Sequence, residues 1–160
     1  MSNERALLEH YVQAGKLMQL ASLNSDGSPA VCNVWYDAHF APDVLRFISR
    51  YNRRHSQNIR IDGRVAGGII AVPLEGLGQT VRGVTFTGVA RELPTCGIDG
   101  EVAAFVAHWP RAEPALHPEK LARGEITTRL YEVTVTEWVL FDEENFPEQP
   151  RRVMEAERQW

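Results

Sequence analysis

Six turn-forming residues, Asn24-Ser25-Asp26-Gly27-Ser28-Pro29, join two apolar segments at positions 16–23 and 30–36. Asp-Gly is a favoured hairpin pair, and so short a link leaves no room for the crossover helix that parallel strands require. The two segments therefore read as an antiparallel hairpin. Further strand-like segments follow at 44–49, 64–72, 80–93 and 127–141. Most of the gaps are again too short for βαβ crossovers. Six antiparallel strands with short links can remove their exposed edges by closing on themselves. The expected fold is mainly β: a closed or nearly closed six-stranded antiparallel barrel with a few short helices.

The helices are marked by their punctuation. Residues 2–14 carry Leu7, Leu8, Tyr11 and Val12 as an apolar stripe, with Ser2 as the cap and Gly15 as the stop. A short helix at 53–61 opens on Arg53, Arg54 and His55 and is stopped by Asp62-Gly63. A third, at 98–108, has Asp99 as its candidate cap, and one helical turn is expected near Glu119. On the last strand Tyr131, Val133, Val135, Val139 and Phe141 are expected to share a face, and residues 143–160 read as a charged tail. Gly83 and Gly88 interrupt the fifth strand, which predicts bulges or close backbone approach. The whole chain, 1–160, reads as a single domain.

Composition narrows the function classes. A net charge of −4 argues against non-specific nucleic-acid binding. No apolar run is long enough to span a membrane, and the charged N-terminal helix does not look like a signal peptide. Two cysteines, Cys32 and Cys96, without paired spacing suggest free thiols and a cytoplasmic protein. The five histidines show no metal-ligand spacing, so no metal site is expected.

Three stretches can carry chemistry. In Phe47-Ile48-Ser49-Arg50-Tyr51-Asn52-Arg53-Arg54-His55, a strand ends at a hydroxyl and a basic pair opens a helix. With Arg60, four arginines crowd this region, whereas Arg46 lies outside it. Cations at a helix start oppose the dipole, and an anion such as phosphate relieves the conflict. On spacing alone a solvated basic turn accounts for the pattern at least as well. In Cys32-Asn33-Val34-Trp35-Tyr36, Asn33 and Trp35 share one strand face, and Cys32, Val34 and Tyr36 the other. That strand suits a flat ligand or, equally, a half-buried barrel wall. In the third stretch Arg82 can meet an anion or a carbonyl oxygen, and Gly83 admits a ring or a partner chain.

In this order the stretches resemble the pyridoxamine 5′-phosphate oxidase-like FMN-binding split-barrel superfamily. Residues 20–29 look like its first hairpin, 47–59 like its phosphate-binding segment, and 82–88 like its central strand. The resemblance implies a homodimer with FMN at the interface and a flavin-dependent oxidoreductase of a small substrate. It also implies Cys32, Asn33, Val34, Trp35, Ser49, Arg50, Arg54, His55, Arg82 and Gly83 as cofactor-binding positions, and it names no catalytic residue. A non-catalytic flavin binder, or a split barrel holding haem or a deazaflavin, fits the same residues. The sequence departs from the true oxidases in two places. Its second strand has no basic residue, and its tail, despite Arg151 and Arg152, has no convincing substrate-phosphate segment.

Overall fold

A computed structural model describes residues 3–158; Ser2 and Trp160 lie outside the described residues. The chain starts with helix α1, Asn3–Ala14. The strands are β1 (Leu17–Leu23), β2 (Pro29–His39), β3 (Val44–Arg50), β4 (Arg64–Ile70), β5 (Arg82–Glu92) and β6 (Thr128–Asp142). They pair antiparallel in the order β3-β2-β1-β4-β5-β6, and β3 pairs back onto β6 to close the barrel. A seventh strand, β7 (Arg151–Glu155), lies beside the second half of β6. β6 is long enough to serve both neighbours. Its first half borders β3, its second half borders β7, and β5 runs along its other edge.

The barrel interior holds Trp138, Tyr36, Tyr131 and Phe47, all fully buried. Each contributes about 1.5–3 kcal/mol or more through burial. Helix α2 (Arg54–Ile61) covers one end, where the Asn58 amide donates to Ser22 Oγ (3.2 Å) and to Asn24 Oδ1 (3.1 Å). Helix α1 covers the opposite end through Leu8, Tyr11 and Val12, with the Tyr11 hydroxyl donating to Asp142 at 2.6 Å. A second apolar cluster, including Leu93, Val102, Phe105 and Leu116, forms under α3 (Asp99–His108), a 3-10 turn at Pro110–Ala115 and α4 (Pro118–Ala122). Among the described residues no helix is long and apolar enough to cross a membrane.

Four sequence expectations need correction. β2 runs on to His39, because Asp37 to His39 pair with Arg46 to Val44 where a loop was expected. β6 does not keep one face. Thr87 pairs with Glu137 but Gly88 with Val135, so Thr136 is an extra residue, and the inward positions switch from Val133 and Val135 to Trp138 and Leu140. A β-carbon on Gly88 would lie 2.6 Å from the Thr134 carbonyl oxygen, so the bulge requires glycine there. The tail contains β7, in which Arg151, Val153 and Glu155 face solvent while Met154 packs on the core. Asp99 is the first residue of α3, not its cap; Ile98 precedes it without a side-chain cap bond.

Asp43, directly before β3, has a fully buried side chain. Arg5 donates to it through Nη1 (2.8 Å) and Nη2 (2.6 Å), Trp138 through Nε1 (2.7 Å) and Glu157 through its amide (3.1 Å). Burial alone would raise the carboxyl. The bonds from Arg5, Trp138 and Glu157 outweigh burial and hold it below its ordinary value. Its contribution to stability is therefore complete above about pH 4 and is lost as the pH falls through the lower folded-state value. Asp43→Asn removes the more buried of the two carboxylates that pair with Arg5, Glu9 at 2.7 Å being the other, and should cost about 3–5 kcal/mol in denaturant unfolding. It should also flatten part of the acid-side loss of stability. A cost under about 1 kcal/mol with an unchanged acid side would refute this role.

Candidate functional site

Leu45, Phe47 and Ser49 face inward on β3, and Ser49 is the last of them before the chain leaves the barrel. The turn into α2 is held by Arg53 N–H donating to the Arg50 carbonyl (3.1 Å) and by Ser56 Oγ donating to the same oxygen (2.9 Å). This brings His55 back onto the strand end, with its Nε2 2.7 Å from Ser49 Oγ. Helix α2 has no side-chain cap and no acidic residue in its first turn. Arg50, Arg53 and Arg54 are exposed, and among the described residues none has a carboxylate within ion-pair distance. A helix start with unmet N–H groups and three guanidinium groups has electrostatics that would attract an anion.

Arg60 does not belong to this group. Its Nη2 lies 2.6 Å from Glu92, and its guanidinium sits over the Tyr51 ring at 5.6 Å. Arg129 approaches the same ring at 5.1 Å, and the Tyr131 hydroxyl donates to Glu92 at 2.7 Å. Burial, the largest cause, pushes the Tyr131 phenol up to about 12. Arg60 therefore serves a structural network around Glu92, which no local sequence signal announces.

The second feature is the outer face of the sheet. Small or apolar residues point outward here: Ala21 on β1, Val31 on β2, Ala66 and Gly68 on β4, and Thr85 and Val139 beside them. They form a shallow trough that continues past Ile70 into a groove of about 610 Å³ ending at Arg82, Gly83 and Arg151. That volume falls within the range of ligand pockets. Arg82 reaches Glu144 through Nη1 (3.0 Å), while its buried Nε has no hydrogen-bond partner. A β-carbon on Gly83 would meet the Ile69 carbonyl oxygen at 2.8 Å. Glycine is therefore required there by the β4–β5 pairing itself, and the groove inherits the space.

The strand register sorts the remaining positions. Asn33 and Trp35 point outward on β2, with Trp35 57% exposed and edge-on to Trp109 at 5.4 Å. Cys32 and Val34 face the interior, and burial pushes the Cys32 thiol up to about 11. Trp35 pairs with Leu17 and Ile70 with Gly83, whereas Ser49 pairs with Arg129 near the start of β6. Within one chain, then, Arg82 and Gly83 lie toward one end of the strands and Ser49, Arg50, Arg54 and His55 toward the other, while Trp35 is at mid-strand on β2. One cluster has no sequence signal at all. The buried Asp37 contacts His39 (2.8 Å) and His108 (3.4 Å), the latter carried in by α3 from far along the chain. Among the described residues no group of three His, Cys, Asp or Glu side chains is arranged to hold a metal ion.

No protein-family model and no curated protein matches this sequence. Solved structures do match its fold. A heme binding protein from Mycobacterium smegmatis aligns with a TM-score of 0.76 at 15% identity, covering 97% of this chain and 59% of that one. A FAD-binding protein from Mesorhizobium loti aligns at 0.64 and 18% identity, covering 86% and 92%. HutZ, the heme storage protein from Vibrio cholerae, aligns at 0.62 and 17% identity, covering 84% and 91%. Identities this low carry the fold alone. The fold they share with this chain is the six-stranded antiparallel barrel described above.

Both cysteines are free, Cys96 exposed and Cys32 half-buried. A thiol at about 11 holds roughly a hundredfold less thiolate at pH 8 than an ordinary cysteine. Titration with a thiol reagent should give one fast site in the native protein and two in the denatured, unreduced protein. Two equally fast native thiols would contradict the inward placement of Cys32.

Proposed function

We propose that this protein binds FMN on the outer face of its barrel, between two copies of the chain, and serves as a flavin-dependent oxidoreductase of a small molecule. The observation that carries this reading is the uncompensated basic turn. In a chain with more acidic than basic residues, Arg50, Arg53 and Arg54 stand together at a helix start with no carboxylate partner among the described residues. A phosphate group satisfies all three, and the Ser49 hydroxyl is within the same turn.

Among the solved neighbours, one is a FAD-binding protein and two are haem proteins. The lining of the outer trough and groove favours flavin. Haem iron is held by His, Cys, Met or Tyr, and no described residue lining these surfaces is one of them. A flat floor of Ala66, Gly68 and Thr85 suits an isoalloxazine ring, and the flavin supplies two-electron redox chemistry when bound. The chain's own residues would hold the phosphate, support one ring face and exclude water from it.

The same face supports the homodimer reading. Val31, Trp35 and Ile70 are 67%, 57% and 59% exposed on one sheet surface, an apolar face that a partner could cover. A two-fold axis running across the strands would oppose the Arg82–Gly83 end of one copy to the basic turn of its partner. That arrangement would gather the residues that a single chain holds apart.

Arg54→Ala should weaken FMN binding about ten- to a hundredfold and leave riboflavin binding nearly unchanged, read by flavin fluorescence quenching. Arg46 is unsuitable as the control because it pairs with the buried Glu132 at 2.9 Å. The exposed Arg123, 4.0 Å from Glu125, takes its place. Equal losses for both flavins would make Arg54 structural. Wild-type protein that binds neither flavin, or that copurifies with haem or a deazaflavin, rejects FMN. Sedimentation should show a dimer at micromolar concentration, and a monomer with flavin still bound would reject the interface.

A further inference from the structure

Ser49 Oγ and His55 Nε2 are 2.7 Å apart, and the imidazole is half-buried beside the Phe47 ring, 6.4 Å between centroids. Burial, and then the Arg53 charge, holds this imidazole below its ordinary value. At neutral pH it is therefore uncharged, with one nitrogen a donor and the other an acceptor. Two arrangements fit the contact. In one, the Ser49 hydroxyl donates to Nε2, which uses its only hydrogen and leaves lone pairs facing outward. In the other, Nε2–H donates to Ser49 Oγ, and the hydroxyl hydrogen is free to point elsewhere.

The surroundings decide between them once an anion is bound. Arg50, Arg53 and Arg54 draw a group that only accepts hydrogen bonds. A hydroxyl whose hydrogen is spent on His55 would offer that group lone pairs alone. A hydroxyl that accepts from His55 offers it a hydrogen, and the relay Nε2–H to Oγ–H to anion polarises in one direction. The other imidazole nitrogen is then unprotonated and cannot bind an anion itself.

We infer that His55 is a positioning residue for phosphate recognition: its Nε2–H donates to Ser49 Oγ and turns the Ser49 hydroxyl toward the bound phosphate. This rests on the FMN reading above. It changes the role assigned to the Arg54-His55 pair, because only Arg54 would then meet the anion and His55 would act through Ser49.

The test is a double-mutant cycle on FMN affinity, with riboflavin as the phosphate-free reference. Ser49→Ala should weaken FMN binding roughly tenfold or more and His55→Ala about threefold or more, both leaving riboflavin unchanged. The double variant should bind FMN no more weakly than Ser49→Ala alone. His55→Gln, whose amide N–H has similar reach, should recover most of the loss. Nitrogen-15 spectra of histidine in the wild-type FMN complex should show Nε2 protonated, a reading that stands even if an alanine variant fails to fold. Losses that multiply in the double variant, equal losses for riboflavin, or an unprotonated Nε2 in the complex would overturn the role. Each of those outcomes is distinct from a wild-type protein that binds no FMN, which defeats the underlying reading instead.

Discussion

The buried carboxylate of Asp43 is the fixed point of this molecule. Two strands, β3 and β7, share one edge of β6, and the place where one ends and the other begins would be a gap in the ladder. Asp43 fills it. Its carbonyl accepts from Val135 N–H (3.1 Å), and its own N–H donates to the Glu157 carbonyl (2.8 Å). Its side chain gathers Arg5 from α1, Trp138 from β6 and the amide of Glu157 from the chain after β7. A charge this deep is costly unless fully paired, so the fold holds only when helix, barrel and tail are all in place. The interaction specifies the arrangement more than it adds net stability.

The extra residue in β6, Thr136, falls at this same junction. The bulge re-phases the strand, so that Trp138 enters the core, where its indole N–H reaches Asp43, and Val139 turns out to the trough. Without that shift, the even-numbered residues Trp138 and Leu140 would lie on the outer face, and the floor of the trough would be blocked by large rings. The polar network at Asp43 and the flat outer surface are thus two consequences of one irregularity.

This explains what could be read from the chain and what could not. The first hairpin, the α2 stop at Asp62-Gly63 and the inward set Leu45, Phe47 and Ser49 follow from local turn chemistry and alternation, which sequence carries directly. The β6 face assignment failed because a one-residue bulge reverses a period of two and leaves no compositional mark. β7 leaves no alternating pattern, because Arg151-Arg152-Val153-Met154-Glu155 is mostly charged and lies beyond two prolines, the appearance of a solvated tail. The basic cluster was legible in outline, but which arginines are free was not. Arg60 finds Glu92 and Arg46 finds Glu132 only through strand pairing across long stretches of chain. Asp37 with His39 and His108 is invisible for the same reason.

Charge placement gives the last step. Lys and Arg total 17 against 21 Asp and Glu, so acidic partners are not scarce. The fold uses them freely: Glu132 takes both Arg46 and Arg91, Glu92 takes Arg60 and approaches Arg129, and Asp62 takes Arg64. Glu92 lies near the same end of the barrel, yet it is committed to Arg60 and the Tyr131 hydroxyl and leaves the α2 entry alone. Against that background, Arg50, Arg53 and Arg54 are exposed within a few residues of each other, at the positive end of a helix dipole, with no carboxylate partner among the described residues. Lys16, Arg111, Lys120, Arg151 and Arg158 also stand without an ion pair among the described residues, but they do so singly, and it is the grouping of three at one helix start that motivates the anion reading proposed above.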